Sequence, residues 1–168
     1  FIRSRYNLMT KEINSWGQNH RKFVSVHNQN KKITNQVISV GNLNSYGDAC
    51  IPINNDIIMN HHKTSENKDW IFSNETIQSY LKRTHNLLTG IPGKSNVTIA
   101  GAIAADTHGK DNLWGGSFGR NIKSIKIMLP NQGIIEVNRK KDKAIFFATI
   151  GGFGLTGNII SVEFLRKN

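Results

Sequence analysis

Four short glycine-dense segments constrain this chain more than any other feature of its sequence. They lie at 41–47, 90–93, 115–119 and 151–157. Glycine adopts positive φ angles easily and lets a ligand approach the backbone closely, and successive backbone N–H groups in such turns bind anions. Any one of these segments alone would be read as an ordinary tight turn. Together with the run of small residues at 100–105, they favour a large ligand with a diphosphate and a planar ring.

The first alternative is the phosphate-binding loop of nucleotide hydrolases, because residues 90–96 read GIPGKSN. That motif needs a glycine five positions before Gly93, where this chain has Leu88. It also needs a strand before the loop and a helix after it. The residue pattern predicts a helix over 76–88 and an extended segment over 97–103, which is the reverse order. Spacing and context therefore both argue against this motif.

The second alternative is a dinucleotide-binding loop, because residues 152–157 fit the pattern G-x-G-x-x-G. That fingerprint follows a strand, opens a helix and needs an acidic residue about 20 positions later. The residues after Gly157 are β-branched and predict a strand instead. The sequence also ends before such an acidic residue could occur. The context of a dinucleotide-binding fold is therefore missing.

Composition narrows the classes of function. The chain has 168 residues, a formal net charge of +11 and one cysteine, Cys50. Such a charge would suit nucleic acid, an anionic membrane or an acidic ligand, so a basic nucleic-acid-binding protein stays an alternative. However, the lysines are scattered, and neither zinc-finger spacing nor a basic platform with interleaved aromatic residues is present. We therefore expect no nucleic-acid partner and no metal site.

The same composition bears on the compartment. One cysteine allows no disulfide within the chain and favours a reducing environment. No apolar run is long enough to span a bilayer, and residues 1–6 lack the apolar stretch of a signal peptide. We therefore expect a cytoplasmic protein without a transmembrane segment.

The pattern along the chain predicts an α+β fold in two parts. Residues 1–62 form the first part, residues 63–69 a polar linker, and residues 70–168 the second part. The second part is expected to begin with a helix capped near Ser73 or Asn74. The other predicted elements are strands at 22–26, 36–40, 56–60, 122–129, 134–137 and 158–165, a hairpin turn at 130–133 and a helix at 144–149.

Five blocks of the sequence resemble, in the same order, the flavin-binding domain of FAD-linked oxidases of the vanillyl-alcohol-oxidase type (PCMH-type). The closest resemblance is to the decaprenylphosphoryl-ribose oxidase branch of that family. Each block alone is a weak signal, whereas the ordered set is specific and covers most of residues 37–165. The blocks are GNLNSYGD (41–48), IPG (91–93), VTIAGAIAADTHGKDN (97–112), GGSFG (115–119) and ATIGGFGLTGNI (148–159).

The resemblance implies two small α+β subdomains that clasp one extended FAD. The first subdomain would be abridged, because few residues separate Val26 from Val37, whereas a parallel crossover usually takes a dozen or more. The implied activity is oxidation of a sugar or alcohol hydroxyl by hydride transfer to the flavin. Many relatives attach FAD covalently through a histidine in the first glycine loop. Residues 44–46 here are Asn-Ser-Tyr, so we expect noncovalent FAD.

The family's substrate domain, with its catalytic lysine and tyrosine, would lie beyond residue 168 and is expected to be absent. For that reason a truncated, non-catalytic flavin-binding module stays an alternative to an enzyme. The expected partners are FAD and a sugar or alcohol substrate. A second chain that supplies the substrate domain is a further alternative.

The resemblance also implies the roles of individual residues. The loop at 41–48 would bind the pyrophosphate, residues 101–109 would run beside the isoalloxazine, and residues 154–159 would close the adenine or ribose side. The expected catalytic residues are His108, near the flavin ring, and Lys110, facing the substrate. Their alternatives are a histidine that caps a turn and a solvated lysine. The implied cofactor-binding residues are Gly41, Asn42, Leu43, Asn44, Ser45, Tyr46, Gly47, Asp48, Pro92, Gly93, Thr98, Gly101, Ala102, Ala105, His108, Gly109, Gly154, Gly157 and Ile159.

Overall fold

The chain forms two separate compact units, Phe1–Met59 and Asn60–Asn168. A computed structural model describes residues 9–17, 20–27, 37–54, 56–60, 69–130 and 132–165. Each unit has its own four-stranded sheet, which confirms the predicted α+β class. The predicted linker at 63–69 falls mostly outside the described residues, so its bounds stay a prediction.

The described elements follow one another in a simple order. The strands are β1 (Met9–Asn14), β2 (Arg21–His27), β3 (Ile38–Ser39), β4 (Asp56–Ile58), β5 (Trp70–Phe72), β6 (Ile122–Leu129), β7 (Gly133–Asn138) and β8 (Asn158–Phe164). The helices are α1 (Ile77–Thr84), α2 (Ile99–Ala104), α3 (Asn112–Gly115) and α4 (Lys143–Thr149), with a 3-10 helix at Phe118–Asn121.

The first unit is built on a mixed sheet in the order β1-β2-β4-β3. β1 pairs antiparallel with β2, whereas β2 and β3 both run parallel to β4. Ile13, Val24 and Ile57 are buried together and form its core. His27 on β2 and Asp56 on β4 make an ion pair of 2.7 Å across the parallel strands. The connection between β2 and β3 lies outside the described residues, so the abridged crossover stays a prediction.

The second unit has an antiparallel sheet in the order β5-β8-β6-β7. The predicted hairpin is confirmed, because β6 and β7 pair antiparallel on either side of the turn. The predicted strand after Gly157 is β8, which is buried along most of its length. This finding confirms that no helix follows the G-x-G-x-x-G segment. The core side chains are Ile71, Ile77, Tyr80, Ile99, Ala102, Ile103, Phe118, Ile122, Ile125, Ile127, Val137, Phe146, Ile159, Val162 and Phe164.

The extended segment predicted at 97–103 is wrong, because residues 99–104 form α2. Ile99, Ala102 and Ile103 are all buried, and their i, i+3, i+4 spacing puts them on one helical face. Thr98 caps the helix by accepting a hydrogen bond from the Gly101 backbone N–H at 3.1 Å. A helix therefore does follow the GIPGKSN segment. The spacing argument against a phosphate-binding loop stands, since Leu88 still occupies the required glycine position.

The predicted start and end of the first helix are also wrong. The N-cap of α1 is Thr76, whose Oγ1 accepts a hydrogen bond from the Ser79 N–H at 3.1 Å. Ser73 instead lies beside the sheet, where its N–H donates to the Ile160 carbonyl at 3.0 Å. Its hydroxyl accepts from Asn60 Nδ2 at 2.7 Å. The helix ends at Thr84 rather than Leu88, because His85 adopts a left-handed φ of 55°.

Candidate functional site

The glycine loop at 41–48 follows β3 in the first unit and is open to solvent. Gly47 has a φ of +60°, and a Cβ built on it would meet nothing within 4 Å. Residues 45–48 are all exposed. Within the part of the chain that the structure describes, the backbone N–H groups of residues 45–47 donate to no backbone carbonyl. The loop therefore offers N–H donors without a backbone partner, together with open space, to an anion.

Two residues, Tyr46 in this loop and Cys50 just after it, pack against neighbouring protein. Tyr46 packs edge-to-face against Trp16, with 5.0 Å between the ring centroids. Cys50 is buried, and burial raises the pKa of its thiol above the usual value, with a smaller contribution from Asp48. A buried, neutral thiol is a poor nucleophile. The Cys50 thiol is therefore no candidate for catalysis at this loop.

In the second unit, residues 105–111, here called the histidine loop, are tied to two glycine-dense segments. On one side, the Phe118 N–H donates to the Thr107 carbonyl at 2.7 Å, and the Gly119 N–H donates to Asp106 Oδ1 at 2.9 Å. On the other side, Thr107 Oγ1 donates to the Gly90 carbonyl at 3.1 Å. The Gly90 N–H points to the Asp111 carboxylate, 3.2 Å from Oδ2. These bonds fix the backbone of the loop.

His108 and Lys110 project from this fixed backbone into solvent. Both residues are exposed. Neither side chain makes a hydrogen bond or ion pair to any residue within the described ranges, so His108 caps no turn there. The histidine loop thus presents one imidazole and one ammonium, two residues apart, on a rigid support. Such a pair can exchange a proton and hold an anionic or hydroxyl-bearing molecule.

The last glycine-dense loop, 151–157, docks on the carboxyl end of α2. The Gly151 N–H donates to the Ile103 carbonyl at 2.9 Å, and the Phe153 N–H donates to the Ala104 carbonyl at 2.8 Å. These bonds satisfy carbonyl groups that a helix end leaves free. A Cβ on Gly151 would lie 3.5 Å from Asp106 Cβ. The loop therefore lies next to the start of the histidine loop, where the Asp106 N–H donates to the same Ile103 carbonyl at 3.0 Å.

The glycines of these loops fall into two classes. At Gly109 and Gly157 a Cβ would collide with protein, 2.5 Å from the Ile91 carbonyl oxygen and 2.6 Å from the Met128 carbonyl oxygen. Close packing against protein therefore explains why residues 109 and 157 are glycines. At Gly93 and Gly154 a Cβ would meet nothing within 4 Å, and Gly154 has a φ of +80°. Gly93 and Gly154, like Gly47, leave room for a ligand.

Other predicted cofactor-binding residues lie deeper. Thr98 is buried and caps α2. The side chains of Ala102 and Ile159 belong to the core, and the Ile159 carbonyl accepts from Asn60 Nδ2 at 2.8 Å. Any contact of Ala102 or Ile159 with a ligand would have to use the backbone. Pro92, Gly93, Ala105, His108, Gly109, Lys110 and Gly154 lie on loops of the second unit that are tied to one another.

Sequence reasoning suggested only an anchoring role in the turn for Asp106 and overlooked Asp111, the second carboxylate that ties the histidine loop in place. Asp106 and Asp111 flank the THGK tetrapeptide, and each accepts a hydrogen bond from a glycine N–H in another loop. It also overlooked Leu113 and Trp114, which are 81% and 80% exposed on the short helix α3. A signal for the carboxylates was available, because Asp residues next to glycine turns commonly bond backbone N–H groups.

The part of the chain that the structure describes contains neither a metal-binding cluster nor a membrane-spanning helix. There, no group of three or more His, Cys, Asp or Glu side chains is arranged to hold a metal ion. None of the described helices has the length and apolar character needed to cross a bilayer.

Comparison with known proteins gives partial relatives. No protein-family model matches the chain. A stretch of 71 residues, 42% of this chain, is 39% identical to decaprenylphosphoryl-beta-D-ribose oxidase of Mycolicibacterium smegmatis and covers 15% of that protein. A stretch of 70 residues is 36% identical to an uncharacterized protein in the mprA 5' region of Streptomyces coelicolor, of which it covers 18%. The match spans less than a fifth of either relative. Over this stretch the chain is related to a protein named as an oxidase.

Proposed function

We propose that this chain is the FAD-binding part of an oxidoreductase that oxidises a sugar or alcohol hydroxyl. The main support is the histidine loop, which is fixed by hydrogen bonds on both sides while His108 and Lys110 stay exposed and unpartnered within the described residues. Partial similarity to a protein named decaprenylphosphoryl-beta-D-ribose oxidase supports redox chemistry on a sugar. The order of the glycine-dense blocks supports FAD as the cofactor.

The residues present fit the demands of FAD. A diphosphate needs several N–H donors at a turn that it can approach closely. In the loop at 41–48, the N–H groups of residues 45–47 donate to no backbone carbonyl within the described residues, and there is open space at Gly47. Gly93 and Gly154 provide open space in the second unit. None of these contacts requires a lysine or a metal.

The proposed chemistry divides between cofactor and protein. Bound flavin would accept the hydride that leaves the substrate carbon. His108 is suited to take the proton of the same hydroxyl group, because an imidazole can act as a general base near neutral pH. Lys110 would hold an anionic group of the substrate through its ammonium. Loss of one hydride and one proton converts the alcohol into a carbonyl compound.

One observation favours a second candidate, a flavin-binding module that needs further polypeptide for turnover. Leu113 and Trp114, 81% and 80% exposed, directly follow the histidine loop in the chain. Large apolar side chains so exposed are often covered by another surface. A substrate domain, in a longer chain or on a second chain, would suit that place. FAD binding is common to both candidates.

The first experiment is to purify the folded chain and record its visible spectrum. The proposal expects a yellow protein whose flavin is FAD. Acid precipitation should then leave the flavin in the supernatant, because residues 44–46 contain no histidine that could form a covalent bond. A folded, colourless chain that takes up no added FAD would refute the proposal. Flavin that stays in the pellet would refute noncovalent binding alone.

A further inference from the structure

Asp106 has an unusual backbone conformation and a specific bond. Its φ is 41°, in the left-handed region that few residues other than glycine, asparagine and aspartate visit. Its Oδ1 accepts the Gly119 N–H at 2.9 Å. Glycine would relieve the backbone at this position but could not accept that bond. A side-chain acceptor oxygen is therefore the feature that this position requires.

Three segments meet at Gly119, the partner of Asp106. They are the histidine loop, the segment around Arg139 and the segment around Ile150. Its carbonyl accepts from Arg139 Nη2 at 3.1 Å, so charged groups bind this glycine on both sides. The Arg139 guanidinium is itself held over the Phe146 ring, 5.5 Å from the centroid. A Cβ on Gly119 would collide with Ile150 Cγ2, which shows how closely the segment before the 151–157 loop packs here. Gly119 is therefore held by two hydrogen bonds in a place where no side chain would fit.

Asp106 belongs to the histidine loop and lies next to the 151–157 loop. These two loops carry candidate ligand-facing residues. It lies two residues before His108, and the intervening Thr107 carbonyl accepts from the Phe118 N–H at 2.7 Å. On its other side, the Asp106 N–H and the Gly151 N–H both donate to the Ile103 carbonyl, at 3.0 and 2.9 Å. A shift of Asp106 would therefore move both loops.

We propose that Asp106 is a positioning residue: through Gly119 and Gly151 it holds His108 and the 151–157 loop in one fixed arrangement that binds FAD. This inference rests on the proposed function. Asp106 acts through these neighbours and not by taking part in proton transfer. Its role is distinct from that of Asp111, which ties the other side of the histidine loop to Gly90.

The test compares Asp106→Gly, Asp106→Glu and Asp106→Asn. Asparagine keeps both the acceptor oxygen and the tolerance of positive φ, so its FAD Kd should stay within about threefold of the wild-type value. Glycine removes the acceptor without backbone strain, and its Kd should rise at least about tenfold, with a changed flavin spectrum. Glutamate keeps the charge but displaces the oxygen, so an intermediate loss is expected. It serves as the second variant should Asp106→Gly fail to fold.

Asp142→Gly is the matched control. Asp142 is also a non-glycine residue at positive φ, 51°, and its side chain makes no capping hydrogen bond. This variant should keep the wild-type Kd and spectrum. An Asp106→Gly protein that loses stability yet binds FAD with the wild-type Kd and spectrum would overturn the proposal, because Asp106 would then be merely structural.

Hydrogen exchange separates this inference from the proposed function. In the protein without FAD, Asp106→Gly should speed amide exchange in both 105–111 and 151–154 at least about tenfold, without a change in the β6–β7 hairpin. Faster exchange confined to 105–111 would overturn the coupling. If wild-type protein takes up no FAD, the proposed function fails, and the exchange result alone decides whether Asp106 couples the two loops.

Discussion

At the residue scale, the glycines of similar glycine-rich segments have two different roles. Gly90 and Gly154 both have positive φ angles, +69° and +80°. A Cβ on Gly90 would collide with the Phe118 backbone nitrogen, whereas a Cβ on Gly154 would meet nothing within 4 Å. Gly90 lets two protein segments approach, and Gly154 leaves space outside the protein. Only glycines of the second kind are expected to affect ligand binding directly.

The first prediction concerns Gly47→Val and Gly154→Val. Each should lower FAD affinity at least about tenfold, because a β-branched side chain fills the open space and is strained at positive φ. Gly133→Val is the matched control: Gly133 has a φ of +72° with nothing within 4 Å, but it lies in the β6–β7 hairpin. It should lose similar stability and keep wild-type FAD affinity, measured by ultrafiltration. Equal FAD occupancy in all three folded variants would contradict the assignment.

The sequence predicted His108 and Lys110 as site residues, but not what holds them. His108 was identified from a local string, whereas the bonds of its loop join residues far apart in the chain. Asp106 bonds a residue 13 positions away, and Asp111 one 21 positions away. No periodicity or propensity encodes such pairs. They follow from the packing of the loops around α2, which becomes known only with the fold.

At the scale of secondary-structure elements, strands with a clear pattern of β-branched and apolar residues were predicted from the sequence, whereas β1 and β5 were not. β6, β7 and β8 carry many β-branched and apolar residues, and all three were predicted. β1 was missed because four of its six residues are polar, and β5 because its three residues directly follow the polar segment that was predicted to be a linker. The IAGAIA string was misassigned since isoleucine favours strands. In the fold, the Thr98 cap and the burial of one helical face outweigh that preference.

The second prediction tests this explanation of α2. Thr98→Val keeps the shape of the side chain but removes the oxygen that accepts the Gly101 N–H. It should lower the free energy of unfolding by about 1 kcal/mol, as the loss of an N-cap does. Thr98→Ser keeps the oxygen and should lose clearly less. Urea unfolding followed by tryptophan fluorescence measures both. A serine variant as unstable as the valine variant would show that the cap bond contributes little.

At the scale of the whole molecule, no single ligand or surface obviously accounts for the formal net charge of +11. Several cations are already engaged within the second unit. Lys123 pairs with Glu163 at 2.7 Å, Arg83 pairs with Glu75 at 2.9 Å, and Lys126 lies 4.4 Å from the centre of the Trp70 ring. Lys110 is exposed on the histidine loop and makes no such contact within the described residues. Other exposed lysines there, such as Lys94, also lack such a contact, so the proposed role of Lys110 rests on its place beside His108.

The third prediction is that this chain, loaded with FAD, is a slow catalyst on its own. Hydride transfer requires a substrate held in one geometry, whereas His108, Lys110 and Trp114 are exposed to solvent. Anaerobic mixing with aldoses, alditols and sugar phosphates should bleach the flavin slowly, although dithionite bleaches it at once. Rapid bleaching by one of these compounds, lost in His108→Ala, would show instead that these residues suffice for catalysis.

The most direct test of the account is a titration of the flavin-free, folded chain with FAD and, separately, with riboflavin. Both ligands carry the flavin ring, but only FAD has the diphosphate that the 41–48 loop is proposed to bind. The account predicts one FAD per chain with a Kd of about 10 µM or tighter, and at least about tenfold weaker binding of riboflavin. A folded chain that binds neither ligand, or binds both equally well, would contradict it.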